Sequence, residues 1–126
     1  MDLTDGCTVE VAAAGHPLPI AITGEGAFPV GRHGTLAGVF ERLDVSVDRV
    51  ELGPGDSIVF WTDGVTDMPP PYGRTADDLA RLLSGHQGCT AAGVIETIRA
   101  DLDCRVTDAM RDDDVAILVV RRATGR

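Results

Sequence analysis

A chain of 126 residues fits one domain and argues against two independent cores, and its 44% hydrophobic content is enough to bury a core instead of remaining disordered. Its formal charge of −9 repels phosphate backbones and anionic bilayers, which argues against nucleic-acid and membrane partners, and suits hard cations that take carboxylate oxygens. Three well-separated cysteines (Cys7, Cys89, Cys104) without a CxxC pair predict reduced thiols, and with no apolar leader at the N-terminus they predict a cytoplasmic protein.

In chain order, Asp5-Gly6 reads as a tight turn before a first strand over 8–14, where Val9, Val11 and Ala13 alternate. Gly15-His16-Pro17 interrupts the pattern, and 19–23 resumes it as a second strand. Gly24, Gly26, Gly31 and Gly34 mark a loop-rich stretch. Val45, Val47, Val50 and Leu52 predict a third strand with a bulge between Val47 and Val50. Pro54-Gly55 is a turn, and Ser57 to Thr62 reads as a buried strand running straight into Asp63-Gly64. The three consecutive prolines between Met68 and Gly73 require a loop.

Two helices follow. Thr75 caps the first, with Asp78 three residues on; Leu79, Leu82 and Leu83 share a face and Gly85 ends it. Thr90 caps the second, and Val94, Ile95, Ile98 and Leu102 form its apolar stripe. Arg111-Asp112-Asp113-Asp114 leads into a last strand over 115–120. Strands, two helices, then a strand make an α+β fold with a mainly antiparallel sheet and both helices on one face.

Two carboxylates stand out by position. Asp63 ends one buried strand and Asp113 begins another, so antiparallel pairing of those strands brings them to one sheet edge. Such a pair either shifts its pKa values by repulsion or shares a cation, and oxygen ligands favour Mg²⁺ or Mn²⁺ over Zn²⁺. The residue types equally fit a plain turn at Asp63-Gly64 and a solvated charge run over 112–114. His16 reads as a turn histidine, Thr4-Asp5-Gly6 as a hairpin turn, and Asp77 and Asp78 as first-turn helix acids. Gly24-Glu25-Gly26 lacks the spacing of a phosphate loop.

Four stretches in order carry a resemblance. They are Ala14-Gly15-His16-Pro17, Leu52-Gly53-Pro54-Gly55-Asp56, Trp61-Thr62-Asp63-Gly64-Val65-Thr66-Asp67 and Asp113-Asp114-Val115-Ala116-Ile117, with Gly38-Val39 as a weaker fifth. Together they resemble the second half of PPM-type metal-dependent serine/threonine phosphatases of the SpoIIE-like branch. The resemblance implies part of an α/β/β/α sandwich. It implies hydrolysis of phosphoserine or phosphothreonine by a water activated between two Mn²⁺ or Mg²⁺ ions. Asp63 and Asp113 then match metal ligands, and Gly64 and Asp114 take supporting roles. The substrate implied is a phosphorylated regulatory protein of the anti-sigma-antagonist type.

The chain departs from that pattern in one large respect. The family's first half carries Asp-x-x-Gly-x-Gly and an earlier Asp, and no Asp-x-x-Gly-x-Gly occurs here. Domains of this kind reach about 200 residues. Residues 1–126 are therefore expected to be the C-terminal portion of one phosphatase domain. An N-terminal half of the domain is then an expected partner, and self-association is expected without it. A non-catalytic, partner-binding module of the same fold is the alternative.

Overall fold

The computed structural model of the chain describes residues 7–13, 15–32, 47–67, 73–105 and 114–124. Its strands are β1 (Cys7–Ala12), β2 (Ile20–Thr23), β3 (Gly26–Pro29), β4 (Val47–Leu52), β5 (Ser57–Trp61) and β6 (Ile117–Arg121), and its helices are α1 (Ala76–Leu83) and α2 (Ala91–Arg105). β1 and β4 form a two-stranded sheet, and β3-β2-β5-β6 form a four-stranded one. Every ladder among them is antiparallel.

Alternation along β2 and β5 builds the layers. Ile20, Ile22, Val59 and Trp61 point to one face of the larger sheet, where Leu79, Leu83, Val94 and Ile98 of the helices close over them. Ala21 and Ile58 point to the other face, against Val11, Val50 and Leu52 of the smaller sheet. The order is helices, four-stranded sheet, two-stranded sheet, which gives three layers with an apolar cluster on each face of the one shared sheet. Leu83 is fully buried at the first core, so Leu83→Ala removes contacts worth about 2–5 kcal/mol.

The helix ends follow their local chemistry. Thr75 Oγ1 accepts from Asp78 N at 3.1 Å while Asp78 Oδ2 accepts from Thr75 N at 2.9 Å, a reciprocal cap. Thr90 Oγ1 accepts from Gly93 N at 3.0 Å at the start of α2. The turn into β5 has Asp56 N bonded to Gly53 O at 3.0 Å, with Gly55 at φ +87°, a value that L side chains rarely adopt.

Two expectations are corrected. The glycine-rich stretch after Thr23 holds a strand, because Gly26–Pro29 pairs with β2 across the Gly24-Glu25 turn. Four residues beginning with Gly and ending with Pro carry almost no strand propensity, and pairing with a buried neighbour overrides it. The bulge in the third strand is also absent. Its register is continuous from Ala12↔Val47 to Cys7↔Leu52, and Val47 is 53% exposed on the outer face, so no inward position was needed for it. The turns expected at Thr4-Asp5-Gly6 and within 68–72, and the Gly38-Val39 match, lie outside the described residues.

Candidate functional site: the sheet edge at Asp63

β5 and β6 pair with Trp61 opposite Ile117 and Ser57 opposite Arg121. The C-terminal end of β5 and the N-terminal end of β6 therefore meet at one edge. The ladder is extended beyond the strands themselves: Thr62 N donates to Ala116 O at 3.1 Å, and Thr62 Oγ1 accepts from Ala116 N at 3.0 Å. The Thr62 side chain thus occupies a backbone partner's place and ties the two strand ends together.

Immediately after Thr62 the chain turns through a single 3-10 turn, Asp63–Val65. Val65 N donates to Thr62 O at 3.0 Å, and Asp63 O accepts from both Thr66 N (3.0 Å) and Asp67 N (2.7 Å). Asp63 and Asp67 are left exposed while Gly64, Val65 and Thr66 are buried. Gly64 packs against the partner strand so closely that an added Cβ would overlap the Asp114 carbonyl oxygen and lie 3.0 Å from its carbon. Asp63, Gly64 and Asp114 are therefore brought together at this edge. Asp113 lies outside the described residues.

The available donors are carboxylates and main-chain carbonyls, the oxygen chemistry that Mg²⁺ and Mn²⁺ prefer. Among the described residues, however, no three His, Cys, Asp or Glu side chains cluster tightly enough to hold an ion by themselves. The donor types fit a hard cation, and a full ligand set needs groups from outside these residues.

The rear of the turn is held by charge. Arg105, the last residue of α2, has a side chain only 6% exposed and donates to Val65 O at 3.2 Å and to Asp101 at 2.8 Å. Beside the edge, His16 and Pro17 share an open cleft of about 270 Å³ with Phe60, Thr62, Ala116 and Leu118. The Gly-His-Pro turn is thus a neighbour of the Asp63 edge, although His16 itself is an exposed bend residue, as its sequence context suggested.

The family model for stage II sporulation protein E matches residues 3–123, nearly the whole chain. The chain belongs to the SpoIIE family. Its fold is similar to the SpoIIE phosphatase domain of Bacillus subtilis, in a structure presoaked with Mn, with TM-score 0.71 and 18% identity over 96% of this chain and 53% of that one. It is similar to the RsbU and RsbW domains of a Mycobacterium tuberculosis protein, with TM-score 0.65 and 24% identity over 97% of this chain and 34% of that one. It is also similar to the SiaA-PP2C domain of Pseudomonas aeruginosa, with TM-score 0.63 and 23% identity over 89% of this chain and 46% of that one. No curated protein matches by sequence. This SpoIIE-family chain spans about half the length of the first structures it matches.

Sequence reasoning placed Asp63 and Asp113 at this edge, with Gly64 and Asp114 as supporting residues implied by the resemblance. Asp63, Gly64 and Asp114 lie there, Asp113 is outside the described residues, and Arg105 was missed. A basic residue four positions after an acid at a helix end suggests only a surface pair, and its burial depends on what the helix packs against. Among the described residues no helix is long and apolar enough to cross a membrane, and Cys7, Cys89 and Cys104 are free thiols.

Proposed function

We propose that residues 1–126 are the C-terminal portion of a metal-dependent protein serine/threonine phosphatase domain, acting on a phosphorylated regulatory protein in the cytoplasm. The observation that carries this reading is the Asp63-Gly64 turn seated directly on Asp114 at the shared end of β5 and β6. A turn whose only duty is to reverse the chain has no need of this close approach of Gly64 to Asp114, and Asp63 beside it is left exposed. Asp63 and Asp113 would hold Mn²⁺ or Mg²⁺, with Gly64 and Asp114 shaping the edge. Two such ions, when bound, supply an activated water and neutralise charge on the phosphoryl oxygens. This chain's own part is to hold Asp63 rigidly. The 3-10 turn is bonded at Asp63 O and Thr62 O, and the Thr62 side chain locks β5 to β6.

A partner-binding module without catalysis is the second reading, favoured by the exposed apolar side chains Phe60, Leu118 and Val120 on one sheet face. One experiment separates the two. A longer chain that includes the preceding segment is assayed for Mn²⁺-dependent phosphate release from a phosphoserine peptide, with Asp63→Asn beside it. Turnover abolished by Asp63→Asn supports the phosphatase. Absence of turnover at any Mn²⁺ or Mg²⁺ concentration overturns it in favour of the module.

A further inference from the structure

The turn that presents Asp63 is held from behind by two arginines that share one carboxylate. Arg105 Nη2 donates to Val65 O at 3.2 Å, and Arg105 Nε donates to Asp101 Oδ2 at 2.8 Å. On the other oxygen, Arg74 Nη2 lies 3.7 Å from Asp101 Oδ1. Arg74 N in turn donates to Thr66 O at 3.1 Å. Two successive carbonyls, Val65 and Thr66, are thus taken by residues belonging to the end of α2 and the approach to α1. Asp101 ties those two residues to each other.

Burial makes this arrangement consequential. A guanidinium that is 6% exposed has lost nearly all its water, and its remaining hydrogen bonds fix where it sits. The surface pair Arg99–Glu96, on the same helix, has side chains 63% and 70% exposed and, among the described residues, bonds to no other side chain. Helix position would let any long cation pair with Asp101. Only the planar fork of Arg105 reaches Asp101 and the Val65 carbonyl together.

We infer that Arg105 is a positioning residue for the Asp63 turn, locking the helical layer to the metal-facing edge. The metal half of this inference rests on the reading of Asp63 given above. The turn half does not.

The test uses the 126-residue chain with Arg105→Met, Arg105→Lys, Asp63→Asn and, as control, Arg99→Met. Hydrogen exchange is read at the turn amides of Val65, Thr66 and Asp67 and at the strand amides of Ile22 and Val59. Mn²⁺ affinity is read from water-proton relaxation. In Arg105→Met the turn amides are expected to exchange about tenfold faster relative to the strand amides, since a charged bond to Val65 O is gone. Mn²⁺ should bind about tenfold more weakly. Arg105→Lys should recover part of both losses, and Arg99→Met should change neither.

Turn amides that change only in step with the strand amides would overturn the inference and leave Arg105 a general packing residue. Loss of turn protection with unchanged Mn²⁺ affinity in both Arg105→Met and Asp63→Asn would keep the lock and remove the metal reading. Loss of affinity in Asp63→Asn alone would keep the metal reading and remove the lock's role in it. If Arg105→Met does not fold, Arg105→Lys decides, because one ammonium cannot serve both partners and selective loss of turn protection is still required.

Discussion

Gly64 lies against the Asp114 peptide with no room for a side chain between them: an added Cβ would overlap the Asp114 carbonyl and sit 3.1 Å from Val115 Cγ2. The obstacle is backbone, which cannot rotate away as a flexible side chain can. The constraint on Gly64 is therefore one of space, because Gly64 is not among the glycines with positive φ.

Gly64→Ala should accordingly part β5 from β6 at the Asp63 end. Overpacking of this kind costs about 1–3 kcal/mol. The expected readings are a lower denaturant midpoint and weakened protection of the Ala116 amide, whose acceptor is Thr62 Oγ1. A Gly64→Ala chain with unchanged midpoint and unchanged Ala116 exchange would contradict this account of the edge.

Phe60 (36% exposed), Leu118 (60%) and Val120 (47%) share one face, since Phe60 pairs with Leu118 and Ile58 with Val120 across the ladder. This is the face that the smaller sheet covers at Ile58 and leaves open towards β6. Open apolar strips drive association. The isolated chain should scatter light as an oligomer or enhance the fluorescence of a hydrophobic dye, and Leu118→Ser should reduce both signals. A monomeric chain that leaves the dye dark would show that the strip is covered in solution.

The 126-residue chain alone should hydrolyse p-nitrophenyl phosphate negligibly and bind at best one Mn²⁺ or Mg²⁺ weakly. On the proposed reading Asp63 and Asp113 would supply two carboxylates, while a pair of ions about 3.5–4 Å apart needs a bridging ligand as well. In a complete domain, Asp63→Ala or Asp113→Ala should each lower the rate by about three orders of magnitude or more, because charge stabilisation carries most of phosphoryl transfer. Brisk Mn²⁺-dependent turnover by the short chain would refute the need for a second half.

Asp78 titrates low. The Thr75 backbone N–H first, and then Arg81, hold its carboxylate charged, lowering its pKa from the usual 3.8 to about 2. A pKa depressed in the folded state means that the α1 cap contributes stability above pH 3.8, and that this contribution is lost as the pH falls through about 2. Carboxyl NMR shifts followed through this range check it. A midpoint near 3.8 for Asp78 would show that the cap is not formed in solution. Asp78→Asn should flatten that part of the pH–stability curve.

Much of the molecule was legible residue by residue. The Thr75–Asp78 cap, the Leu79 and Leu83 face, the Pro54-Gly55 turn and the strand read over Ser57 to Thr62 are local signals and lie where their patterns put them, except that the strand ends at Trp61 and its Phe60 is exposed instead of buried. The pairing of the fifth and sixth strands followed from the order of elements, because it brings two apolar runs together. Asp63 was placed by the same kind of signal, since a residue just beyond the end of a strand inherits the position of that end. Asp113, placed by the same argument, lies outside the described residues, and Asp114 came from the family resemblance alone. Val47 misled because its apolar side chain suggested an inward position that the register denies it.

By itself the sequence determined the α+β class, the helix faces, the family and the place of Asp63 at a strand end, since caps, periodicity and strand ends are properties of neighbours along the chain. Only the tertiary structure decided that Gly26–Pro29 is a strand, that Gly64 rests on Asp114, and that the Arg105 guanidinium is buried behind the turn. Those three depend on which distant segment lies opposite, and that is set by burying both faces of one sheet at once.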